Sequence, residues 1–108
     1  KETGVYVSDI HSGDSIVVRV LDFGTTSPKT FTASVASALQ GGKIEVHADK
    51  PDGKLLCTLI APYTGGWEKW QTVDANLNEE ITGVHDLYFL FKGNQGAKLF
   101  NFDWWQFK

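Results

Sequence analysis

Three histidines, thirteen carboxylates and one cysteine are the groups in this 108-residue chain that could carry acid–base, nucleophilic or metal chemistry, and their spacing decides which. Hydrolysis of a glycosidic bond needs two carboxyl groups held a fixed distance apart, and nothing in the sequence singles out such a pair. His85-Asp86 precedes the apolar segment Leu87 to Phe91 and has the composition of a base with its orienting acid. Adjacent residues of a strand point to opposite faces, however, so both are expected to have structural or surface roles. Glu45 and His47 share a strand face, but two side chains are too few for a transition-metal site. Cys57 lies in the run Leu55-Leu56-Cys57-Thr58-Leu59-Ile60 and is expected to be an inert buried thiol; as the only cysteine it can form no internal disulfide. The sequence has no Gly-x-Ser-x-Gly elbow, His-Glu-x-x-His pair, Cys-x-x-Cys pair or phosphate-cradling loop, so the chain is not expected to be an enzyme.

The tryptophans point to binding instead. Trp67 follows Gly65-Gly66 directly, where a flexible turn can present a flat ring at a loop tip. The C–H face of a pyranose packs on such a ring while amides or carboxylates take its hydroxyl hydrogen bonds, and Asn101, Asn94, Gln95 and Glu68 are available as partners. Trp70 is expected in the core, on a strand running from Trp70 to Val73. Trp104 and Trp105 are consecutive within a strand, so one must face inward and the other outward.

The elements that position these residues read as strands throughout. Segments rich in β-branched and aromatic residues occur at Val5-Tyr6-Val7, Ser15 to Leu21, Thr30 to Ser37, Lys43 to Ala48, Leu55 to Ile60, Trp70 to Val73, His85 to Phe91 and Leu99 to Phe107. Alternation is clearest in Phe31-Thr32-Ala33-Ser34-Val35 and Ile44-Glu45-Val46-His47-Ala48, so each of these strands buries one face. Glycine-containing turn clusters separate the segments. The one helix-compatible window, Ala33 to Gln40, is weakened by Ser and Val and ends in Gly-Gly. Eight short strands predict an all-β, jelly-roll-like sandwich, and the length fits one domain over 1–108. A net charge of −3 with scattered Lys and Arg argues against nucleic acid and anionic membranes as partners, and no apolar run is long enough to span a bilayer.

Five segments then occur in order: Ile10-His11-Ser12-Gly13-Asp14, Gly42-Lys43-Ile44-Glu45-Val46, Thr64-Gly65-Gly66-Trp67-Glu68-Lys69-Trp70, Thr82-Gly83-Val84-His85-Asp86-Leu87-Tyr88 and Leu99-Phe100-Asn101-Phe102-Asp103-Trp104-Trp105. Together they resemble carbohydrate-binding module family 6, and most of all the modules appended to arabinofuranosidases and xylosidases of glycoside hydrolase family 43. The resemblance runs from about Gly4 to Phe107. It implies a secreted, non-catalytic, calcium-stabilised β-sandwich jelly roll that targets a plant cell-wall glycosidase to xylan, arabinoxylan or related β-glycans. An alternative role is a structural module that packs against the catalytic domain with little sugar affinity.

In such modules sugar binds either in a loop cleft at one edge of the sandwich or on the concave face of a sheet. Trp67 matches the tryptophan of the loop cleft and Asn101 its asparagine, with Asn94 nearby. The cleft's second ring falls at Asp9, with Tyr6 the nearest aromatic, and the ring serving the concave face falls at Ser15. Asp103 matches a ligand of the structural calcium. The resemblance also implies a preceding first strand carrying Glu-x-Glu, expected on the same larger polypeptide or on a partner chain.

Overall fold

The computed structural model describes residues 10–39, 41–93 and 98–108. Among these residues seven strands follow the alternating segments: β1 (Ser15–Asp22), β2 (Thr30–Ala36), β3 (Lys43–Ala48), β4 (Lys54–Ile60), β5 (Gln71–Asn76), β6 (Val84–Lys92) and β7 (Asn101–Phe107). No helix occurs among the described residues, and the Ala33 to Gln40 window opens as the second half of β2. The expected strand at Val5-Tyr6-Val7 lies outside the described residues.

The strands form two sheets, β1-β6-β3-β4 and β5-β2-β7, in which every pairing is antiparallel. Apart from the β3–β4 hairpin, consecutive strands lie in opposite sheets, so neighbours in sequence are repeatedly sent to opposite layers of the sandwich. The core lies between the layers. Phe31 and Val35 of β2 meet Ile44 and Val46 of β3 and Leu87, Phe89 and Phe91 of β6 there. Phe89 is its aromatic centre, with ring centroids 5.5 Å from Phe31, 5.2 Å from Trp105 and 6.2 Å from Phe102, mostly edge to face. Each such side chain contributes about 1.5–3 kcal/mol by leaving water, and the edge-to-face geometry adds to that.

Bulges on β7 and β1 help set which residues reach the core, as does the register shift between Val46 and His47 in the β3–β4 pair. On β7, Trp105 sits opposite Ala33 and Phe102 opposite Val35, so β7 carries one extra residue. Phe102 and Trp105, three apart, thereby both face inward, and Trp104 stays outside the core cluster. On β1 the register shifts between Val18 and Leu21, with Val20 at φ 57°. The N–H of Val20 donates to Asp86 Oδ1 at 2.9 Å, while Arg19 donates to Oδ2 at 3.2 Å. Asp86 therefore holds a bulge at a sheet edge, the structural role expected of it.

Trp70 corrects the sequence reading. It precedes β5 and is 37% exposed. Only Val73 and Ala75 of β5 pack on the core, and the alternation that turns odd positions inward turns Trp70 outward with Thr72 and Asp74.

Candidate functional site

The connection from β4 to β5 carries Thr64-Gly65-Gly66-Trp67, and Thr64 anchors it to the end of β2. Ser37 N–H donates to Thr64 Oγ1 at 2.9 Å, and Thr64 N–H donates back to the Ser37 carbonyl at 3.0 Å. The chain then turns through Gly65 at φ +105°, a backbone conformation that a Cβ disfavours. Trp67 emerges half-buried rather than fully exposed.

Asn101, the first residue of β7, reaches this loop. Its Nδ2 donates to the Trp67 carbonyl at 2.6 Å. The structure thus brings together the two residues expected to share a site, through the backbone of one and the side chain of the other. Asn101 is only 1% exposed, and among the described residues its Oδ1 has no hydrogen-bond partner. Lys98 completes the arrangement, with Nζ 4.3 Å from the Trp67 ring centroid, within cation–π range. No feature of the sequence pointed to Lys98; only the fold brings it over the ring.

Tyr6, Asp9 and Asn94, named with Trp67 and Asn101 as sugar-contacting positions, lie outside the described residues, as does Gln95. Glu68 is exposed in the Trp67 loop. Ser15 opens β1 opposite Leu90, so that position of the sheet face holds a hydroxyl rather than a ring. A groove of about 560 Å³ opens at the far end of β7, between Phe23, Trp105 and Phe107. Its rings are engaged with one another, Phe23 lying edge-on to Phe107 at 5.1 Å and Trp105 edge-on to Phe107 at 5.9 Å.

The titratable groups singled out in the sequence, His85, Glu45, His47 and Cys57, are held by structural contacts or by burial. His85 takes Asp49 rather than Asp86 as partner, with Nδ1 2.8 Å from Asp49 Oδ1 and Nε2 2.8 Å from the Thr82 carbonyl. The hydrogen bond to Asp49 leads in raising the His85 pKa above its ordinary value. His47 Nε2 lies 3.1 Å from Glu45 Oε1, and Lys92 Nζ lies 3.1 Å from the same oxygen. Burial pushes the Glu45 carboxyl up, but hydrogen bonds from His47 and Lys92 and the charges of Lys92 and Lys43 outweigh it and leave it below the ordinary value. Cys57 is buried, and burial pushes its thiol up to about 12, which keeps it in the unreactive protonated form.

A family profile for carbohydrate binding module (family 6) matches residues 1–108. The chain belongs to carbohydrate-binding module family 6. The module is 47% identical over 102 residues to an arabinoxylan arabinofuranohydrolase of Bacillus subtilis (strain 168), covering 94% of this chain and 20% of that enzyme. The crystal structure of a glycoside hydrolase family 43 arabinoxylan arabinofuranohydrolase from Bacillus subtilis, in complex with cellotetraose, superposes with a TM-score of 0.89 at 47% identity, over 95% of this chain and 21% of that one. A family 6 module from Clostridium cellulolyticum, solved in complex with xylose, gives 0.91 at 36% identity over 99% and 81%. The module therefore spans about a fifth of the length of this enzyme relative.

The family resemblance raises calcium, which takes six to eight oxygen ligands. Asp103 offers a buried carboxylate oxygen. Among the described residues no three Asp, Glu, His or Cys side chains gather around a common point, so they do not by themselves fit a carboxylate-rich calcium shell.

Proposed function

We propose that this module binds β-linked plant cell-wall polysaccharide, xylan or arabinoxylan first among them, without catalysing its cleavage, and so holds an attached extracellular glycosidase near its substrate. The observation that carries the reading is the hydrogen bond from Asn101 to the Trp67 carbonyl, which anchors the backbone of the loop from which the half-buried indole emerges. A flat ring held rigidly loses little freedom when a sugar stacks on it. The named relative is an arabinoxylan arabinofuranohydrolase and a related module has been solved with xylose, which supports xylan, while the cellotetraose in the arabinofuranohydrolase structure makes a β-glucan the competing ligand. Shallow sites of one stacked face and a few hydrogen bonds reach dissociation constants of roughly millimolar to micromolar. The test is depletion of the module from solution by insoluble arabinoxylan, with cellulose in parallel. Retention on arabinoxylan supports the reading, and full recovery in the supernatant from both polymers contradicts it.

A second reading, a module that packs against its glycosidase with little sugar affinity, is favoured by the burial of Asn101, whose amide N–H is already given to Trp67. Unchanged release of arabinose from insoluble arabinoxylan after removal of the module, with a lowered melting temperature of the enzyme, would select it.

Calcium at Asp103 belongs to the leading reading as a structural ion.

A further inference from the structure

Lys98 is seated over the ring proposed to receive the sugar, its Nζ 4.3 Å from the Trp67 centroid. A pyranose and an ammonium cannot share one face of an indole. A neutral sugar on that face must displace the lysine and forgo the cation–π contact, whereas a sugar carrying a carboxylate meets the displaced ammonium at its edge. The loop holds a second cation, Lys69, whose stem lies 3.3 Å from where a Cβ on Gly66 would stand. Glu68 is the exposed carboxylate of the same loop, and the charge placed on the ring itself is that of Lys98. The chain as a whole carries −3, so this cationic seat runs against its overall charge.

We infer that Lys98 makes the Trp67 site selective for acidic xylan, in which xylose residues bear uronate branches, over neutral xylan. The inference rests on the Trp67 reading and names the substrate class within it. Lys98 is a specificity-determining residue here: its ammonium must leave the ring for either sugar, and only the anionic one gives it a new partner.

The experiment is a calorimetric titration of the wild-type module and Lys98→Gln with xylohexaose and with xylohexaose bearing one 4-O-methylglucuronic acid branch, at low salt and again at 0.5 M sodium chloride. Lys98→Gln is expected to bind the neutral oligosaccharide about 2- to 5-fold more tightly, which is the release of a cation–π contact of about 0.5–1 kcal/mol. For the acidic one the same release is offset by the lost exposed ion pair of about 0.2–1 kcal/mol, so the release cancels between the two ligands and the acidic-to-neutral affinity ratio falls by about 1.4- to 5-fold. High salt should lower the same ratio in the wild type through screening. A ratio that Lys98→Gln leaves unchanged, while both oligosaccharides bind, overturns the inference and leaves the Trp67 reading standing. Binding of neither oligosaccharide by the folded wild type overturns the Trp67 reading and the inference together.

Discussion

Asn101→Asp separates a positioning amide from a merely buried polar residue. The side chains are nearly isosteric, so packing is preserved, but the donor aimed at the Trp67 carbonyl becomes an acceptor. Loss of the bond costs about 1 kcal/mol, and the abandoned carbonyl adds about 1–3 kcal/mol of unmet desolvation. An ionised carboxylate at a residue 1% exposed adds a further penalty, because removing the partner of a buried charge typically costs about 3–5 kcal/mol. Asn101→Asp should therefore lose about 3 kcal/mol or more at neutral pH, moving the urea midpoint by about 1.5 M for a slope near 2 kcal/mol/M. Asn101→Ala also abandons the Trp67 carbonyl and should cost about 1–3 kcal/mol, less than Asn101→Asp because it buries no charge and removes the buried Oδ1 that has no partner among the described residues. Protonation would restore a donor to the new Asp, so the gap between Asn101→Asp and wild type should narrow as pH falls from 7 to 4. Urea unfolding followed by tryptophan fluorescence measures all three. An Asn101→Asp variant within about 0.5 kcal/mol of wild type, or a larger loss for Ala than for Asp, would refute the reasoning.

Phe89→Ala, at the centre of the ring cluster with Phe31, Phe102 and Trp105, should cost about 3–5 kcal/mol, a large share of the stability of a domain this size, read from the same urea midpoints. His85 has a folded pKa raised above the ordinary 6.5 by its bond to Asp49. Its contribution is therefore fully present below pH 6.5 and lost as pH rises through the folded value. The stability difference between pH 6 and pH 8.5 should shrink in His85→Gln, and an undiminished difference would assign the pH dependence elsewhere. Calcium should raise the melting temperature relative to EDTA in wild type and not in Asp103→Asn if Asp103 is a ligand, by an amount that grows with free calcium as mass action requires. The same rise in both proteins would remove Asp103 from the site.

The strands were legible because residue types carry the period directly: Ile44-Glu45-Val46-His47-Ala48 buries Ile44, Val46 and Ala48 and turns Glu45 and His47 to the other face, where they meet. Trp70 was misplaced because a large ring beside a strand reads as core, whereas its position is set by the phase of β5, which only pairing fixes. Which of Trp104 and Trp105 turns inward depended on a bulge on β7 that leaves no mark in the sequence. At the candidate site, Gly65-Gly66-Trp67 advertised a turn followed by a ring, and the family pattern supplied Asn101. The seating of Lys98 on Trp67 depends on tertiary packing between residues far apart in the chain, and no local pattern encodes it. The partnership of His85 with Asp49 was hidden for the same reason, since Asp86 is the neighbour in sequence and Asp49 the neighbour in space.

The central claim is that Trp67 is the sugar-binding ring of this module. Calorimetric titration of the wild type and Trp67→Ala with xylohexaose, calcium present and folding checked by circular dichroism, addresses it most directly. The account predicts heat of binding from the wild type, with a dissociation constant of roughly millimolar to micromolar, and none from a folded Trp67→Ala. Equal binding by the two proteins, or no binding by a folded wild type, would contradict it.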